Sequence, residues 1–189
     1  MPTRRSPCSE SERVSSGAAK QTRTSDSSSV KWLFKSEPHE YSIQDLREKP
    51  NGESVWDGIR NFEAARQLTE MKCGDRCYFY HSSCKDIGIV GIVEVIKEAF
   101  PDPMAQDPKS KYYDAKATPE KPRWFSIEIK LVEIWNTIVT LKDLKDNAGP
   151  GLPLSDLMVV KRGRLSVSRV KPEEYDFIQQ IKEAKKGSL

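Results

Sequence analysis

The sequence predicts an α+β domain organised on a small curved sheet or barrel with peripheral helices, and three observations carry that prediction. Trp124 to Trp135 alternates Phe125, Ile127, Ile129 and Leu131 with Ser126, Glu128 and Lys130, the pattern of a strand with one buried and one wet face. Gly88 to Phe100 is nearly continuous in Ile and Val, and Gly91 in its middle marks a bend or bulge that would curve the sheet. Helical signals stand before and after these strands and do not alternate with them, which is the order of an α+β domain.

In chain order, Met1 to Ser29 is rich in Ser, Thr, Arg and Glu and nearly lacks large apolar side chains. It cannot bury enough surface to offset its ordering entropy, so a disordered tail is expected. Its basic residues, Arg4, Arg5, Arg13, Lys20 and Arg23, are scattered and not gathered into a compact run, which suits a solubilising tail. Lys31-Trp-Leu-Phe-Lys-Ser-Glu-Pro38 is a short apolar strand that stops at Pro38, because proline cannot donate to a ladder. Lys35, Ser36 and Glu37 therefore stand at a strand end, where side chains can leave the sheet. Ser42 with Asp45 starts a short helix, and Pro50-Asn51-Gly52 closes it as a turn.

Val55-Trp-Asp-Gly-Ile-Arg-Asn61 reads as a connection holding an indole, a carboxylate, a guanidinium and a carboxamide, a mixture that suits a pocket. Asn61 is a fitting N-cap for a helix over Phe62 to Met71, with Phe62, Ala65, Leu68 and Met71 as its apolar face and Gly74 as its C-terminal cap. Cys77 to Tyr80 is a short strand. Pro101 to Pro122, rich in Pro, Asp and Lys around Tyr112-Tyr113, is expected to be a long surface loop. Thr140 to Lys145 is a helical turn. Leu157 to Val160 and Arg164 to Val167 are expected as short strands around a tight hairpin at Gly163, which would gather Lys161, Arg162 and Arg164 on one edge. A last helix begins near Pro172 and carries Tyr175, Phe177, Ile178 and Ile181. The expected organisation is a tail over 1–29, one domain over 30–184 and a short C-terminal tail over 185–189.

Composition bounds the function. A chain of 189 residues with 37% hydrophobic residues suits one domain with a real core. A net charge of +3 and a pI near 8.6 are too mildly basic to announce a nucleic-acid binder unaided. No apolar run reaches membrane-span length, and the N-terminus lacks the apolar core of a secretory signal, so an intracellular chain without membrane contact is expected. Cys8, Cys73, Cys77 and Cys84 would then be mostly reduced thiols. Cys73, Cys77, His81 and Cys84 lie close in sequence but contain no Cys-x-x-Cys pair, so no metal is expected and Cys77 reads as a small buried hydrophobe.

Trp-Leu-Phe-Lys-Ser-Glu-Pro, Trp-Asp-Gly-Ile-Arg-Asn, Phe-Tyr-His-Ser, Gly-Ile-Val-Gly, Phe-Pro-Asp and the late Arg-Leu-Ser, in that order, resemble the EVE domain family from about Val30 to about Ile181. The resemblance implies a PUA-like fold, a pseudo-barrel with peripheral helices, in a superfamily that includes YTH readers of methylated adenosine and SRA readers of modified cytosine. It also implies a cofactor-free, monomeric reader of modified bases. The eukaryotic member is regarded as a nuclear reader of 5-hydroxymethylcytosine.

A reader must take its base out of the stack and rebuild the lost stacking with aromatic walls. Trp56 is the first choice for that wall, with Trp32 or Tyr80 opposite; all three are equally residue types of a core. Strand parity puts Lys35 and Glu37 with Leu33 and puts Trp32 with Phe34 and Ser36, which favours Lys35, Glu37, Trp56, Asp57 and Asn61 over Trp32. Glu37 or Asp57 can accept from the exocyclic amine of cytosine, and Asn61 can pair with a ring nitrogen or carbonyl, or simply cap its helix. His81 and Ser82 are candidates for a 5-hydroxymethyl group or the backbone. Arg60, Arg66, Lys161, Arg162 and Arg164 are candidates for phosphates. Trp56→Ala is accordingly expected to remove base selectivity and leave folding intact. Two other classes stay open: a reader of modified RNA, and a small hydrolase using Lys35 and Glu37 as base and acid, although no triad, nucleophile elbow or phosphate loop is present. A protein-interaction module would show no base selectivity at all.

Overall fold

The apolar run after Val30 forms strand β1 (Lys31–Ser36), which ends before Pro38 as expected. The computed structural model describes residues 30–187; the expectations for the N-terminal tail and the last two residues lie outside that range. β1 runs parallel to β3 (Arg76–His81), with Ser36 opposite His81, and antiparallel to β6 (Val167–Val170) on its other side. With β2 (Glu53–Trp56), β4 (Gly88–Pro101) and β5 (Phe125–Thr140), they make a mixed six-stranded open sheet in the order β2-β5-β4-β3-β1-β6.

The register shifts at Phe79/Tyr80 and at four points along β4 and β5, and these irregularities curve the sheet. One shift lies between Ile89 and Gly91. A Cβ at Gly91 would collide with the Glu133 carbonyl oxygen and the Ile43 side chain, so the bend expected there does require glycine.

The period-two alternation of β1 divides the core. Trp32 and Phe34 face one cluster with Cys77, Phe79, Ile127 and Ile129, covered by α1 (Ile43–Glu48) and α2 (Phe62–Glu70). Leu33 faces the other with Tyr78, Ile89 and Trp135, covered by α3 (Leu141–Asp146), α4 (Met158–Lys161) and α5 (Pro172–Lys186). Caps fix several helix starts. Ser42 and Asp45 form a reciprocal capping box on α1, Thr140 and Asp143 form another on α3, and α5 opens at Pro172. Cys77 is fully buried, which pushes its thiol pKa well above the ordinary range. Among the described residues no three His, Cys, Asp or Glu side chains gather as metal ligands, and no helix is long and apolar enough to cross a membrane.

Several expectations need correction. Leu157 to Val160 is no strand, because Val160 and Lys161 donate to the Leu157 carbonyl and Arg162 to that of Met158, which closes α4. A short apolar run does not by itself decide between helix and strand. β6 starts only at Val167, so the hairpin at Gly163 is absent and the three basic residues share no strand edge. β2 was missed, being too short to show a period; it pairs with β5 from Glu53 opposite Lys130 to Trp56 opposite Ile127. α2 ends on Met71, and Gly74, at φ +90°, forms the later turn into β3. Phe62 leaves the apolar face and is 62% exposed, so Ala64, Ala65 and Leu68 carry the packing. The 101–122 segment is not structureless, since it contains a 3₁₀ turn over Pro103–Ala105 and buries Asp102, Ala105 and Ala117.

Candidate functional site

The end of β1, the segment after β2 and the 101–122 loop enclose a cavity of about 510 Å³. Its lining includes Lys35, Ser36 and Glu37 from the strand end, Trp56, Asp57 and Gly58 from the second segment, and Tyr112 from the loop. Small-ligand pockets span about 300–1,000 Å³, so the volume fits a nucleobase with adjoining sugar.

Trp56 is 7% exposed and belongs to the core as well as to the cavity wall. Phe34 stacks on its ring at 5.2 Å, and Phe79 and Tyr41 meet it edge-on at 5.5 and 6.3 Å. The indole Nε1 is buried with no hydrogen-bond partner among the described residues, and the Tyr41 hydroxyl is buried beside Ser54. Such an indole N–H forfeits its hydration without compensation and is free to donate to a ligand.

Asp57 lies next to that indole in sequence. Burial, and then the charge of Asp102, raise its carboxyl pKa above the ordinary value, while Arg60 acts in the opposite direction. Burial lowers the Lys35 pKa against the attraction of Glu37, and the Lys35 ammonium donates to the Gly163 carbonyl. Ser36 Oγ donates to the Tyr41 carbonyl at 2.5 Å, and Glu37 accepts from Ser83 Oγ at 2.9 Å. Lys111, also lining the cavity, donates to Glu40 at 2.9 Å and so ties the loop to the turn after β1.

Gly58 shapes the wall with its φ of +72°, and a Cβ there would meet the Tyr112 ring at 3.1 Å. Tyr112 is the principal residue that sequence reasoning missed. The Tyr pair inside the long Pro- and Lys-rich loop was its only signal.

The other candidates lie elsewhere. Trp32 is wholly buried under Arg169, and its Nε1 donates to Asp75 at 2.9 Å. Trp32 does not line the cavity, but strand parity is not the reason, because Trp56 stacks on Phe34, on Trp32's own face of β1. Tyr80 is buried in the opposite cluster. Ser82 Oγ and its backbone N–H both turn to the Ser36 carbonyl, holding β3 to β1. Asn61 caps α2, its Oδ1 accepting from the N–H groups of Glu63 and Ala64 at 2.9 and 3.1 Å.

Arg60 faces inward and pairs with buried Asp102 at 2.7 Å, so it is no free phosphate ligand. Arg66 is exposed beside Glu70, Lys161 pairs with Asp156, and Arg162 holds Glu63 through both terminal nitrogens. Arg164 is exposed, and with Asn61, Arg162, Gly163 and Leu165 it lines a second hollow of about 280 Å³. Lys35 joins the two hollows through Gly163.

His81 supports the site from behind. Its Nε2 accepts the Ile43 N–H at 3.2 Å, its ring meets Phe79 edge-on, and Asp45 is the nearby charge. Burial lowers its pKa against the attraction of Asp45, which keeps the acceptor nitrogen neutral. A histidine with a depressed folded pKa contributes stability that is complete above the unfolded value of about 6.5. That contribution is lost as pH falls through the lower folded value. Thermal midpoints from pH 8 to pH 5 are expected to show an acid-side loss for the wild type that His81→Gln, unable to charge, lacks. Parallel curves would show that His81 does not titrate with folding.

The EVE domain family model matches residues 30–181. This chain belongs to the EVE domain family. The EVE domain here is 37% identical to thymocyte nuclear protein 1 of Gallus gallus, over 82% of this chain and 69% of that one. Among solved structures, it is similar to human THYN1 protein in complex with 5-methylcytosine containing DNA, with a TM-score of 0.79 and 33% identity over 82% of this chain and 98% of that one. A hypothetical protein from Leishmania major is similar at a TM-score of 0.77 and 39% identity, over 84% of this chain and 97% of that one. The EVE assignment accounts for the curved mixed sheet with peripheral helices, a PUA-like α+β fold.

Proposed function

We propose that this EVE domain is a non-catalytic, monomeric nuclear reader of a 5-modified cytosine, methylcytosine or 5-hydroxymethylcytosine, flipped out of DNA into the 510 Å³ cavity. The observation that carries the reading is the Trp56 indole N–H, without a partner among the described residues, in a wall shared with the Asp57 carboxyl. Cytosine presents a carbonyl and a ring nitrogen that accept and an exocyclic amine that donates, which complements that pair. Val55 and Met104 add apolar surface for a 5-methyl group, and the strand-end groups Lys35, Ser36 and Glu37 add polar contacts for a 5-hydroxymethyl group. Arg164, beside the second hollow, is the best placed of the basic candidates for a flanking phosphate. The methylcytosine DNA complex of human THYN1, at 33% identity, supports the ligand class.

The test is equilibrium binding, at one salt concentration, to oligonucleotides that differ only in cytosine, methylcytosine or hydroxymethylcytosine, as DNA and as RNA. A preference of at least tenfold for a modified DNA strand, about 1.4 kcal/mol, is expected. Equal, salt-sensitive binding to all would leave phosphate contact alone and overturn the reading. A preference confined to RNA would move the ligand to the other nucleic acid.

A further inference from the structure

Phe62 is an exposed aromatic residue at a helix start. It opens α2, directly after the capping Asn61, and is 62% exposed, the highest value among the large exposed hydrophobics of the described residues. A single exposed apolar side chain is ordinary. This one, however, is the outer layer of an ordered stack. Its ring lies on Trp124 at 4.6 Å with 24° between the planes, and the Arg123 guanidinium sits 5.4 Å from the Phe62 centroid. On the inner side Arg60 continues the series, 5.4 Å from Trp124 and 5.2 Å from Tyr112 in the cavity wall. Rings and guanidinium groups therefore run from the cavity to the surface and end in an exposed aromatic face.

We propose that Phe62, backed by Trp124 and flanked by Arg123, is a second stacking platform that takes a nucleobase next to the one held in the cavity, on the same strand. The proposal rests on the base-reading function and adds a separate contact to it. Two arguments select a nucleobase over a protein side chain. An exposed ring offers a π-face, the means by which sequence-tolerant single-strand contacts are made, and because the neighbouring Arg123 guanidinium is paired with Asp114 at 3.1 Å it is stacking that carries the contact. Reach agrees as well. Ile59 lines the cavity, and Phe62 lies three residues on, at most about 11 Å away along the chain. Successive phosphates on one strand advance about 3.4 Å along the helix, so the platform meets a base within about three nucleotides of the flipped one.

The experiment uses the full chain and a DNA oligonucleotide with one methylcytosine, paired with an unmodified control. 2-Aminopurine is placed one, two or three nucleotides to either side, and affinity and fluorescence are both read. Phe62→Ala is expected to weaken binding of both oligonucleotides about tenfold, to leave their ratio unchanged and to abolish quenching at one flanking position. Phe62→Leu keeps the apolar bulk over Trp124 but cannot stack; it is expected to lose the same affinity, which separates stacking from shielding of Trp124. Phe62→Trp is expected to bind at least as well as wild type. Unchanged affinity in Phe62→Ala overturns the platform, as does a loss confined to the methylated oligonucleotide, which would make Phe62 part of the cavity readout. A wild-type chain without preference for methylcytosine, but weakened by Phe62→Ala, would overturn the base-reading function and leave the platform standing. A wild-type chain that binds neither oligonucleotide overturns both.

Discussion

Trp56→Ala is expected to destabilise the domain by about 3–5 kcal/mol, the usual cost of emptying a buried tryptophan site. For a domain of this size that lowers the thermal midpoint by roughly 6–20 °C. The reason is the company the indole keeps: Phe34 on one face, Phe79 and Tyr41 at its edges, and only 7% of its surface in solvent. The expectation from sequence that this variant folds normally is therefore corrected, and its loss of binding would say nothing about base selection. Trp56→Phe is the informative change. It keeps an aromatic ring between β2 and β1 and removes the indole N–H, which lacks a partner among the described residues, together with part of the bicyclic ring. It is expected to fold with a much smaller loss than the alanine variant and to lose about tenfold of its affinity for a flipped cytosine, modified or not, the worth of one hydrogen bond near the upper end of the neutral range. Thermal unfolding and paired binding curves check both halves. Undiminished affinity in a folded Trp56→Phe would remove the indole N–H from the contacts to the base.

The legible parts of this chain were those in which local chemistry and tertiary context agree. The strand character of β5, the proline stop after β1, the Ser42/Asp45 box and the Asn61 cap were each readable because a few neighbouring residues determine them, although Ser126, expected on the wet face of β5, is buried. The cavity was half legible. Lys35, Ser36, Glu37, Trp56 and Asp57 come from two segments whose mixed polarity marked them, and they do converge. Tyr112 and Lys111 arrive from a loop whose path is set by Arg60, Asp102 and Gly58, partners that no local pattern names. His81 and Ser82 do not line the cavity, for a related reason. Polar residues just past a strand end look available, yet here their hydrogen bonds close β3 against β1 and the start of α1. Lys161 and Arg162 looked like a basic edge until Asp156 and Glu63 were brought against them by the fold.

Arg60→Ala is expected to cost a further 3–5 kcal/mol of stability, roughly the penalty for leaving a buried charge without its partner. The Asp102 side chain is fully buried, and it accepts from Arg60 at 2.7 Å, from the Met104 N–H at 2.8 Å and from the Gly58 N–H at 3.3 Å. Arg60 in turn donates through Nε and Nη2 to the Tyr112 carbonyl at 2.8 and 2.6 Å. One ion pair thus clamps the Trp56–Asn61 segment to the loop that forms the opposite wall. Its removal should loosen Tyr112 and lower affinity for any ligand in the cavity. Lysine is a poor substitute, since one ammonium cannot reproduce the planar fork that meets both Asp102 and Tyr112. The cause can be isolated by a double-mutant cycle. If the buried charge is the main cost, Asp102→Asn should be less harmful in the Arg60→Ala background than in the wild type, by 1 kcal/mol or more on the scale of coupling for contacting residues. Additive losses would show that Arg60 acts through Tyr112 and Trp124 and not through Asp102. The electrostatic consequence reaches the cavity. Arg60 is the charge that opposes the rise in the Asp57 pKa, so its loss should push that carboxyl further up and make base binding fall off at a higher pH than in the wild type.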